Sequence, residues 1–68
     1  MAVLKKHSLT LRGHRTSISL EDIFWQQLHA IAKKHNQSVQ ELIEAIDKTR
    51  RGNLSSAIRV FVVETLLK

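Results

Sequence analysis

The spacing of hydrophobic and polar residues changes several times along the chain. Arg15-Thr16-Ser17-Ile18-Ser19-Leu20 alternates with period two, which sets Thr16, Ile18 and Leu20 on one face of a strand and Arg15, Ser17 and Ser19 on the other. A strand over 15–20 is predicted, and no second run of comparable strength follows it. A lone strand leaves backbone N–H and C=O groups unpaired, and its open edge invites another chain. Pairing with its own copy would solve both problems. Residues 1–14 read as an arm, in which Leu9-Thr10-Leu11 alternates only weakly.

Helical spacing begins after Leu20. Glu21-Asp22 suits the positive end of a helix dipole, and Phe24, Trp25, Leu28, Ile31 and Ala32 share one side. A first helix is expected over 21–35, with Asn36 as a left-handed cap. Ser38-Val39-Gln40-Glu41 is a capping-box sequence that opens a second helix over 39–51, with an apolar stripe of Val39, Leu42, Ile43 and Ile46. Gly52 closes it behind Lys48, Arg50 and Arg51. Asn53 or Ser55 then caps a third helix over 54–67, whose apolar residues lie nearly all the way round. Such a helix has to be buried on most sides, which a short chain can hardly do alone. The β-branched run Val60–Val63 leaves a strand as the alternative there. Ile18, Leu20, Phe24, Leu28, Ile31, Ile43, Ile46, Ile58 and Phe61 are the expected core, with Trp25 at an interface.

Size sharpens the same point. At 68 residues with no cysteine, the chain has neither disulfides nor thiolate metal sites to reinforce a small core, so association is the expected remedy. The longest apolar run, Val60–Val63, is far short of the ~20 residues of a membrane span. Met1–Lys6 lacks the apolar core of a signal peptide, so a cytoplasmic location is expected. Eleven Lys and Arg against six Asp and Glu give a net charge of +5. Lys5, Lys6, Arg12 and Arg15 fall in the first sixteen positions, which hold no acid. That bias suggests a polyanionic partner, the alternative being a solvated tail that aids solubility.

Catalytic signatures are missing: there is no Gly-rich phosphate loop, no His-Glu-x-x-His and no Gly-x-Ser-x-Gly. His29 and His35 stand six apart, on different faces of a helix, and Glu41, Glu44 and Asp47 occupy the polar side of the second helix. No enzyme, metal or cofactor is expected.

The order of one polar-faced strand and two helices resembles the ribbon-helix-helix family of Arc- and MetJ-like repressors. Thr16–Leu20 looks like that family's ribbon, and Ala32-Lys33-Lys34-His35-Asn36-Gln37-Ser38-Val39 like its inter-helix turn. The longer run from Arg12-Gly13-His14-Arg15 through Phe24-Trp25 to Gly52-Asn53-Leu54-Ser55-Ser56-Ala57-Ile58-Arg59 is similar to a subgroup of mostly uncharacterised bacterial ribbon-helix-helix domains. The resemblance implies a mostly α homodimer with one short strand per chain, the strands pairing into an intermolecular two-stranded antiparallel ribbon, here with an extra C-terminal helix. It implies that the ribbon enters the DNA major groove with Arg15, Ser17 and Ser19 as base readers. Arg can bond guanine bidentately and Ser is a tolerant donor or acceptor. The family also holds phosphates on the backbone amides that open its second helix, a place matched by Ser38, Val39 and Gln40. Lys5, Lys6 and Arg12 would add non-specific phosphate contacts.

Two functions follow as expectations. The first is a DNA-binding dimer, a transcriptional regulator or antitoxin-like autorepressor. The second is a dimeric protein-interaction module without DNA, which would use the apolar segment 54–67 to hold another protein.

Overall fold

Two strands precede three helices in the computed structural model, which describes residues 3–68. They are β1 (Leu4–Leu11), β2 (His14–Glu21), α1 (Asp22–Lys34), α2 (Val39–Thr49) and α3 (Leu54–Leu66). The expected arm is largely a strand: β1 pairs antiparallel with β2 in a two-stranded hairpin, from Leu4 opposite Glu21 to Leu11 opposite His14. The expected fold of a single strand per chain is therefore corrected to two. The segment between them, Arg12-Gly13, is a two-residue turn with φ of +52° and +81°. Positive φ at both central residues is the condition of the tight hairpin turn whose twist matches its strands. Glycine takes that conformation freely, whereas arginine does so at a cost. Arg12 is held there by α2: its amide donates to Glu44 Oε2 at 3.3 Å, and its guanidinium lies 3.8 Å from Asp47.

The caps follow the sequence closely. Asn36, with φ of +56°, ends α1. There the Gln37 amide donates to the Ala32 carbonyl at 2.9 Å and the Asn36 amide to Lys33 at 3.1 Å, the paired bonds of a left-handed helix stop. Ser38 Oγ accepts from the Glu41 amide at 3.0 Å, and the Ser38 amide donates to Glu41 Oε1 at 2.9 Å, so both halves of the capping box are formed. Asn53, rather than Ser55, caps α3 by accepting from the Ser56 amide at 2.8 Å. The helices end one or two residues before their expected limits, because Arg50 and Leu67 already serve as C-caps.

One face of the hairpin closes over the helices. Leu11, Ile18 and Leu20 join Leu28, Ile31, Ala32, Leu42, Ile43, Ile46, Leu54, Ile58 and Val62 in a single buried cluster. Phe24 and Phe61, expected at its centre, are only half buried and pack on its rim. Small branched side chains from five elements fill the middle, which pushes the larger rings outward. Beneath the sheet α2 lies against β1, whereas α1 and α3 lie against β2. At the far end Trp25 of α1 stacks on His7 of β1, with ring centroids 3.8 Å apart and planes 9° apart.

Candidate nucleic-acid interface

Pairing sorts the hairpin's side chains into two faces, since residues directly opposite in an antiparallel pair point the same way. Lys5, His7, Leu9 and Leu11 share the inner face with Leu20, Ile18, Thr16 and His14. The outer face carries Lys6, Ser8 and Thr10 of β1 beside Ser19, Ser17 and Arg15 of β2, and all six are exposed. Arg15, Ser17 and Ser19 thus stand where the alternation put them. Ser8 and Thr10 had no place in the sequence reading, because nothing in an isolated arm fixes their direction. The pairing register supplies it.

Backbone geometry adds a second property. Across a two-residue hairpin turn the flanking pair, Leu11 and His14, is hydrogen-bonded, and bonded pairs then alternate along the ladder. Thr16, Ile18 and Leu20 consequently direct their N–H and C=O groups to β1. Those of Arg15, Ser17 and Ser19 point to the open edge of β2.

The expected phosphate contacts divide. Lys6 joins the outer face opposite Ser19. Lys5 is on the inner parity and pairs with Asp22 at 3.1 Å. Arg12 is drawn under the turn toward Glu44 and Asp47, and Asp47 is itself bound by Arg50 at 2.8 Å. Ser38, Val39 and Gln40 open α2 rather than standing on the hairpin's outer face, and their neighbours Gln37 and Glu41 line a groove with Arg12 of the hairpin turn. The capping box claims the amides of Ser38 and Glu41 but not those of Val39 or Gln40. The Ser38 amide and hydroxyl hold the Glu41 carboxyl below its ordinary range, which keeps an anion at this helix end.

A second depressed carboxyl closes the other end of the sheet. Glu21 Oε1 accepts from Arg59 Nε of α3 at 2.8 Å, and that bond is the main cause of its lowered pKa. The ion pair ties α3 to the strand that carries Arg15, Ser17 and Ser19. His7, inside, has a buried Nε2 with no hydrogen-bond partner, and its ring rests on Trp25, whose edge meets His29 at 4.8 Å. Among the described residues no helix is long and apolar enough to cross a membrane.

The outer face of the hairpin is thus polar, with the cations Lys6 and Arg15, and is backed by a helical layer. The family model of the ribbon-helix-helix domain matches residues 4–66, and the chain belongs to that family. No curated protein and no solved structure matches it.

Proposed function

We propose that this protein is a DNA-binding homodimer of the cytosol, a transcriptional regulator or antitoxin-like autorepressor that presents its outer sheet face to the major groove. The observation that carries this reading is the face itself: Lys6, Ser8, Thr10, Arg15, Ser17 and Ser19 are exposed together, with no acid among them. In a dimer the open edges of two β2 strands would pair antiparallel. Glu21 is committed to Arg59 and to the start of α1, so the free span is 14–20 and its centre is Ser17. Ser17 would then face Ser17 of the second copy, and Arg15 would face Ser19.

The sheet so formed has four strands, with the two β1 strands outermost. At about 4.8 Å per strand the outer axes are roughly 14 Å apart, slightly more than the ~12 Å groove. The central pair would sit in the groove, and Lys6, Ser8 and Thr10 would meet the phosphates at its rim. Arg15 and the two serines would read base edges, while the rim residues would bind without regard to sequence.

Fluorescence-anisotropy titration against random-sequence duplexes at two salt concentrations tests this. Affinity should fall steeply with salt. Arg15→Ala should lose roughly 1–3 kcal/mol on a selected site, whereas Lys6→Ala should weaken all sequences alike and lower the salt slope by about 1. Absence of binding at low salt would sink the proposal and leave the protein-interaction module in its place.

A further inference from the structure

The hairpin turn holds a cation that the outer face does not use. Arg12 keeps φ at +52°, a left-handed backbone that Gly or Asn adopts at less cost than arginine. Such strain persists where the surroundings hold it, and it gathers at ligand clamps and switch regions. Here α2 supplies the hold, in two separable parts. Glu44 accepts from the Arg12 amide at 3.3 Å and fixes the backbone. Asp47 Oδ2 holds the guanidinium at 3.8 Å, and this second part is loose. The Arg12 side chain is 55% exposed, and an exposed ion pair is weak in water. Asp47, only 16% exposed, carries a tighter bond on its other oxygen, from Arg50 Nε at 2.8 Å. Arg50 is fixed a second time, on the Gly52 carbonyl at 3.0 Å.

One carboxylate therefore serves two arginines unequally. Withdrawing a sole partner would strand a largely buried charge, which is costly. Asp47 escapes that cost, because Arg50 stays when Arg12 leaves. The sheet register does not confine Arg12 either. The paired rungs end at Leu11 and His14, so Lys5 is bound to the inner face, whereas Arg12 lies beyond the last rung and belongs to neither. It stands two residues from Thr10 and three from Arg15, both on the outer face.

We propose that Arg12 is an exchangeable phosphate ligand. Held on Asp47 in the free protein, its guanidinium transfers to a backbone phosphate of a duplex lying on the outer face, while Arg50 keeps Asp47 neutralised. The proposal rests on the DNA-binding reading above and adds to it a contact that forms only on binding. Arginine suits the exchange, since its planar fork bonds phosphate bidentately, a geometry that the 3.8 Å contact with Asp47 lacks. The amide stays on Glu44, so only the side chain moves.

The test is fluorescence anisotropy of the full chain on a random-sequence duplex across a salt series. Arg12→Asn suits the left-handed turn but removes the charge, and it should lower the salt slope by about 1. Arg12→Lys should restore the slope. Asp47→Asn keeps an acceptor for Arg50 and frees Arg12 beforehand, so it should tighten binding about 2- to 5-fold, the worth of an exposed ion pair. In the Arg12→Asn background that gain should shrink, because no cation is left to release. An equal gain in both backgrounds would show only the loss of a negative charge and would overturn the exchange. A slope unchanged by Arg12→Asn in a protein that binds duplex would overturn the proposal alone, as would a slope that lysine does not restore. No binding by wild type at low salt would overturn it together with the DNA-binding reading.

Discussion

Helices α2 and α3 are of similar length and stand side by side, yet they are finished to different degrees. Each buries one isoleucine completely, Ile43 in α2 and Ile58 in α3. Each has a side-chain N-cap. Their outward faces differ. That of α2 carries Gln40, Glu41 and Lys48 and suits water as it is, while that of α3 carries Val60, Val63 and Leu67 and does not. A helix with a narrow apolar stripe is complete inside one chain, whereas one that is apolar around most of its circumference needs a second surface. The same contrast extends to the strands above them: β1 is backed by the finished helix, and β2 by the unfinished one together with α1.

The strongest way to probe that comparison is through the shared core. Ile43→Ala and Ile58→Ala should each cost about 2–5 kcal/mol, read from urea unfolding. If α3 also holds a partner, Ile58→Ala should in addition make the midpoint more dependent on protein concentration, because mass action then enters the unfolding equilibrium. Equal concentration dependence in both variants would erase the distinction between the helices.

A smaller effect separates the caps. Ser38→Ala removes one half of a reciprocal pair and should cost about 0.5–2 kcal/mol, with Asn53→Ala in the same range. Only the first should also release the Glu41 carboxyl toward its ordinary pKa, measured by NMR titration.

The smallest difference is in acid. Glu41 and Glu21 both titrate lower in the folded protein than their ordinary value of 4.5. The unfolded chain then binds protons first, so these groups add stability above that value, and the gain is lost as pH falls through the folded pKa. Glu41→Gln should remove the contribution within α2, and Glu21→Gln the one that ties α3 to β2. Thermal melts between pH 6 and pH 3 should therefore flatten in both variants.

Much of this was legible beforehand, for identifiable reasons. Caps and helix stops are local, so Ser38, Glu41 and Asn36 announced themselves within a few residues of where they act, whereas α2 ends at Thr49 on an extended Arg50, ahead of the Gly52 expected to close it. The strand at Ile18 and Leu20 declared itself by strict alternation. β1 did not, because Lys5 and His7 occupy inner positions where apolar residues would be expected. Lys5 is neutralised there by Asp22 and His7 is covered by Trp25, partners that are distant in sequence. The turn was equally quiet, since Arg12-Gly13 is not a usual hairpin pair and its strained arginine is held by α2. The half-burial of Phe24 and Phe61 likewise depended on how five elements share one small interior.

Sequence alone thus determined what depends on near neighbours: the helices, their caps, the alternating face of β2 and the surplus of apolar surface on α3. Tertiary structure decided what depends on distant ones. It folded the arm into β1, turned Ser8 and Thr10 to the face of Arg15, Ser17 and Ser19, and diverted Lys5 and Arg12 to carboxylates. It also set α3 under the open strand. The division is physical: helical and strand periodicities repeat over a few residues, whereas strand register and helix placement are fixed only when separate segments compete to bury the same core.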